Sequence, residues 1–66
     1  MWVIKIHYDN PYISDAYVAD NGNFSVKWED AAHYECSECV SKLAQFIQSS
    51  NKTPTKYRAF PLSIGT

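Results

Sequence analysis

Apolar residues recur along this chain with two different periods. From Trp2 to Tyr8 they alternate, with Trp2, Ile4, Ile6 and Tyr8 set against Val3, Lys5 and His7. A period of two is that of a half-buried strand, whose successive side chains leave opposite faces. From Cys36 to Ser49 the period lengthens. Val40, Leu43, Ala44 and Ile47 fall at i, i+3, i+4 and i+7, which predicts one apolar face of a helix over about residues 37–49. Cys36, Cys39 and Phe46 widen that stripe on one flank, while Ser41, Lys42, Gln45 and Gln48 take the far side. Ser37 is the expected N-cap, Glu38 and Lys42 form a favourable i, i+4 pair, and Pro54 bars continuation.

The remaining segments read as strands and turns. Asp9-Asn10-Pro11 has turn chemistry. Residues 12–19 are rich in strand formers but alternate poorly, so an irregular or edge strand is expected there. Asn21-Gly22 is the strongest hairpin signal, tolerating positive φ at both central positions. Phe24, Val26 and Trp28 alternate with Ser25, Lys27 and Glu29, predicting a second amphipathic strand. Residues 29–35 leave two readings open, a helical turn from Glu29 or a short strand over 31–34. Strand character resumes from Thr55 to Leu62, with Pro61 restricting it to an edge or an end, and Ser63 to Thr66 are expected to fray. This order implies an α+β fold in a single domain over residues 1–66. A three- to four-stranded, mainly antiparallel sheet carries the helix on one face.

Composition narrows the function. With 66 residues the chain has room for one domain. No run of about 18 apolar residues exists to cross a membrane, and the first residues lack the pattern of a secretory signal. A cytoplasmic location is therefore expected, with both cysteines as free thiols. The net charge is only −1, but residues 1–41 hold all seven acids against Lys5 and Lys27, while residues 42–66 hold four cations and no acid. Such a split marks either an interaction surface or neutralisation across the fold.

Several chemistries can be weighed. His33, Cys36 and Cys39 are spaced by threes and can converge on zinc, with His7, Glu29, Asp30 or Glu35 completing a tetrahedron. The alternative is that both cysteines pack as small hydrophobes on the apolar flank of the helix. A redox pair at the helix N-terminus would need a larger βαβ context. No arrangement of His7, His33 and the carboxylates singles out a nucleophile or an acid–base pair, so a non-enzymatic role and no cofactor are expected. Lys56-Tyr57-Arg58 has the aromatic and cationic character of a nucleic-acid contact, but the balanced overall charge argues against one. Protein binding remains. Tyr8, Tyr12, Tyr17, Tyr34 and Tyr57 exceed what one helix can cover, so some should face solvent as anchors. Tyr12, Tyr17 and Tyr34 are the expected anchors, with Asp15, Glu35 and Glu38 as a charged rim. An edge strand over 12–19 or 55–60 can also pair with a partner's sheet, a homodimer among the options.

The layout of Trp2-Val-Ile-Lys-Ile6, the Asn21-Gly22 hairpin, Ala32-x-Tyr34, Ser37 opening a helix with Leu43 and Phe46-Ile47, and Tyr57-x-x-Phe60-Pro61-Leu62 resembles short accessory proteins of bacteriophages and prophages. The resemblance implies an inhibitor in the cytoplasm of a bacterial host, blocking a larger host or defence enzyme by occlusion. It carries over no catalytic residue. Cys36 and Cys39 depart from the charged helix start usual in that group, which keeps the zinc alternative open.

Overall fold

Strand β1 (Trp2–Tyr8) forms where the alternation is cleanest and becomes a central strand of the sheet. In the computed structural model, which describes residues 1–65, the other elements are β2 (Ala16–Val18), β3 (Phe24–Ser25), α1 (Cys36–Ser50) and β4 (Tyr57–Ser63). The four strands make one antiparallel sheet in the order β3-β2-β1-β4. Helix α1 lies on one face of it, the expected α+β layout.

Pleating divides β1 between two environments. Trp2, Ile4, Ile6 and Tyr8 point toward the helix, joined by Ala16 and Val18 from β2 and Tyr57 and Ala59 from β4. Ile4, Ile6 and Val18 are wholly enclosed. Below the C-terminal half of α1 the core is aromatic. Phe24 contacts Tyr57 edge-on, with centroids 5.4 Å apart, and also packs against Phe46 and Tyr8. Tilted contacts of this kind suit the positive edge and negative face of each ring. The Tyr57 hydroxyl donates to the Phe46 carbonyl at 2.9 Å, so its polar tip is satisfied inside the core.

The sheet takes the other flank of the helix from the one the sequence pattern favours. Cys39, Leu43, Phe46 and Ser50, spaced by four, three and four, face the core, whereas Val40 and Ile47 are 63% and 49% exposed. The phase is set by what lies beneath. The ring of Phe46 has an aromatic cluster to join, and the hydroxyl of Ser50 has a strand to clasp. That hydroxyl donates to the Tyr57 carbonyl at 2.7 Å and accepts from the Tyr57 N–H at 3.1 Å. Lys56 Nζ lies 3.0 and 3.3 Å from the carbonyls of Asn51 and Ser50, a cation at the negative end of the helix.

Other expectations are corrected locally. Glu35, not Ser37, is the N-cap, with no side-chain capping bond. Residues 12–19 do not form an edge strand, because the strand is confined to Ala16–Val18 and lies inside the sheet. The alternation through Trp28 stops after two residues of β3, and Trp28–Asp30 form a 3-10 turn instead. Ser25 explains the break, since its hydroxyl donates to Asp30 at 2.8 Å and accepts from the Lys27 N–H. The Asn21-Gly22 hairpin turns through Gly22 alone at φ 80°, and the Gly22 N–H donates to the Ala19 carbonyl. This is a longer loop ending in a left-handed glycine. Ala31 and Tyr34 form single bridges to Ala19 and Trp2. At the C-terminal end, Ser63 pairs with Trp2 and the Ile64 N–H donates to Met1, so the expected fraying does not begin at Ser63. Thr66 lies outside the described residues.

Strand β4 is an outer strand, as Pro61 required. The bonds flanking the ladder join Asp9 to Lys56 and Ile64 to Met1. By the alternation of an antiparallel pair, Arg58, Phe60 and Leu62 turn their backbone groups toward β1. Tyr57, Ala59, Pro61 and Ser63 turn theirs outward. Ser50 occupies both outward groups of Tyr57, and Pro61 has no N–H to present.

Candidate protein-interaction face

The face of the sheet opposite α1 carries no helix, and the strand registers order its side chains in rows. Lys5 stands opposite Tyr17 on one side and Phe60 on the other, so an aromatic ring flanks the ammonium stem on each side. One row along, Val3 stands opposite Leu62. There Tyr17, Trp28, Ala31, Leu62 and Ile64 surround a shallow depression of about 260 Å³. One row the other way, His7 stands opposite Arg58. Asp15 joins that row, its carboxylate 2.8 Å from His7 Nδ1 and 3.5 Å from Lys5 Nζ. The face thus grades from apolar through aromatic to charged along one strand length.

Exposure divides this face between support and contact. Val3 is buried beneath its neighbours, while Trp28 is 62% and Phe60 37% exposed. A large exposed indole on an otherwise well-packed small domain is the feature most enriched where proteins bind one another. The hydrogen bond from His7 holds the Asp15 carboxyl below the ordinary carboxylate range, helped by the charges of His7 and Lys5. Asp15 therefore stays ionised into mild acid and keeps the charged row intact.

The residues singled out in the sequence are not brought together in one place. Tyr17 and Asp15 lie on the open face. Tyr12 is 94% exposed in the turn after β1, where its N–H donates to Asn10 Oδ1. Tyr34 belongs to the core with 8% of its surface exposed, and burial raises its hydroxyl pKa. It offers a partner little surface. Glu35 and Glu38 are exposed at the start of α1, on the helix side of the sheet. Tyr8 and Tyr57 complete the core set, so three of the five tyrosines are internal. Trp28 and Phe60 are exposed on the open face but are not among the residues the sequence pattern singles out. The pattern places Trp28 on the apolar face of a strand that ends at Ser25, and gives Phe60 no face.

His33 and Cys36 are exposed, while Cys39 points into the core, where burial raises its thiol pKa. A thiol so held is a weak nucleophile at neutral pH. Among the described residues, no three of His, Cys, Asp and Glu gather as a metal-holding group. A broad depression of about 550 Å³ lies between the hairpin loop and the 3-10 turn beside Asp20, Glu29 and Asp30. It is wide open, and its acids are solvated. No helix among the described residues is long and apolar enough to cross a membrane. In comparisons with family models, curated proteins and solved structures, nothing matched this chain.

Proposed function

We propose that the protein is a non-enzymatic interaction module that binds a larger protein through the open face of its sheet. The supporting observation is the exposed Trp28 standing with Tyr17, Phe60 and Leu62 beside the Lys5–Asp15–His7 row. An aromatic centre bordered by charge is the anatomy of a contact patch, in which a few anchors supply most of the binding energy. The complementary surface is an apolar ridge carrying a carboxylate to meet Lys5 or Arg58. The narrower proposal is that the partner is a bacterial enzyme, blocked by occlusion in the manner of phage accessory proteins. It rests on the sequence resemblance alone.

Capture by the immobilised chain from bacterial lysate, with mass spectrometry of the bound fraction, tests the reading. Specific capture should fall at least tenfold with Trp28→Ala and survive Tyr12→Ala, with circular dichroism confirming that both variants fold. Retention of oligonucleotide in a salt-sensitive way, without any captured protein, would sink the proposal and point to Lys56, Tyr57 and Arg58.

A further inference from the structure

A depression of about 400 Å³ lies between the hairpin loop and α1, a volume within the range of small-molecule sites. Asp20 borders it on the loop side. Glu38, Lys42 and Gln45 line it from the helix, spaced four and three apart along one face. Val18 and Phe46 supply its apolar surface, and Tyr34 lines it from the core.

Tyr34 is the informative residue. It is a core side chain with only 8% of its surface exposed. The Tyr57 hydroxyl donates to the Phe46 carbonyl, but that of Tyr34 has no hydrogen-bond partner among the described residues. No fully enclosed polar side-chain atom among them lacks a partner. The hydroxyl is therefore the uncovered end of the ring, aimed into the depression. Burial raises its pKa, and the charges of Asp20 and Glu38 raise it further, which sets both carboxylates around one oxygen. Asp20, Glu38 and Lys42 also keep their charges unpaired, since the ion pairs among the described residues are Lys5–Asp15, His7–Asp15 and Arg58–Asp9.

We propose that this depression binds a free amino acid with an apolar side chain. Its three acceptors, two carboxylates and a phenol oxygen, match the three N–H donors of a primary ammonium. Among the described residues no metal-holding group gathers there, so the cation that fits is organic. Lys42, half-buried on the same face, supplies the opposite charge. It stands one turn beyond Glu38, about 6 Å along the helix, with the Gln45 amide as a further donor. An amine alone would leave Lys42 facing its own charge, whereas an amino acid satisfies both ends. Phe46 and Val18 remain for its side chain. The site is on the helix side of the sheet, away from Trp28.

A ligand this small in an open depression should bind with a Kd of about 1 mM. L-Phenylalanine is the probe, titrated to about 20 mM into the whole chain and followed by amide NMR shifts. Saturable shifts are expected around Asp20, Tyr34, Glu38 and Lys42. Phenethylamine, which lacks the carboxylate, and hydrocinnamate, which lacks the ammonium, should each bind at least tenfold more weakly. Glu38→Gln and Asp20→Asn, both at exposed positions, should weaken L-phenylalanine at least fivefold. Tyr34→Phe, which strands no partner, should weaken it at least threefold, with circular dichroism confirming the fold of each variant. Trp28→Ala should leave the titration unchanged, so this site and the open face fail separately. The inference is overturned by the absence of any saturable shift, or by phenethylamine binding as well as L-phenylalanine. Binding that survives both Glu38→Gln and Asp20→Asn, or shifts centred on Tyr17 and Trp28, overturns it equally.

Discussion

The two faces of the sheet are built from the same strands but under different rules. On the helix side, Ile4, Ile6 and Val18 are almost wholly enclosed, and among the described residues no buried side-chain polar atom lacks a hydrogen-bond partner. On the open side the same strand β1 contributes Val3, Lys5 and His7, and only Val3 is buried. Shape is therefore constrained on one side of each residue pair and free on the other. Stability should reside in the even positions of β1, and recognition in the odd ones.

The largest expected contrast tests this division directly. Ile6→Ala removes a fully enclosed side chain and leaves a cavity, so it should cost about 2–5 kcal/mol. Trp28→Ala, though it deletes far more atoms, should cost under about 1 kcal/mol because its site is mostly solvated. Urea melts showing equal losses would erase the distinction between the faces.

A second substitution asks how far the covered side depends on one hydroxyl. Ser50→Ala strands both backbone groups of Tyr57 and should destabilise by about 1–3 kcal/mol. Asn51→Ala, next along but exposed, should shift the midpoint by less than about 0.5 kcal/mol. Thermal melts of the pair separate a true clasp from a general sensitivity of the helix end.

The helix offers the same comparison within a single element. Leu43→Ala should cost roughly 1–3 kcal/mol as a half-buried core contact, and Val40→Ala under about 0.5 kcal/mol in dilute solution. A reversal of that order would mean that the helix is rotated toward the stripe predicted from sequence.

The smallest effect belongs to pH on the open face. Asp15 has a lowered carboxyl pKa in the folded chain. Its contribution is therefore present above the ordinary carboxylate pKa and lost as pH falls through the lowered value. Asp15→Asn should therefore lower stability slightly at pH 7 and lose that deficit as pH falls below about 4, which flattens the acid limb of the curve. At the other extreme, burial raises the Tyr57 hydroxyl above its usual 10.0. Its contribution holds below pH 10 and is lost as pH climbs through the raised value. Absorbance titration of the phenols, run beside the melt, checks both limbs.

What the sequence disclosed and withheld follows from the range of each signal. Period identified β1 and α1, since these elements are seven and fifteen residues long and repeat their pattern several times, while β4 was legible from its strand-forming residues and from Pro61. The strands β2 and β3 have three and two residues, too few for a period to be counted. The phase of α1 was misread because a helical stripe records only that one side is apolar. Val40 and Ile47 are more apolar than Cys39 and Ser50, yet the flank carrying Cys39, Phe46 and Ser50 faces the sheet, because Phe46 joins the aromatic cluster and Ser50 clasps Tyr57. Tyr17 and Asp15 were legible as surface groups. Their assembly with Trp28 and Phe60 was not, because it depends on a register between strands far apart in sequence.

The outward edge of β4 also bears on how this chain behaves when crowded. A bare outer strand is a template on which further chains can add, the first step toward cross-β fibres. Here Ser50 fills one outward position and Pro61 removes a donor from another, leaving Ala59 and Ser63 as isolated, separated sites. The opposite edge, β3, is only two residues long. A sheet so finished at both margins has little to offer a growing fibre.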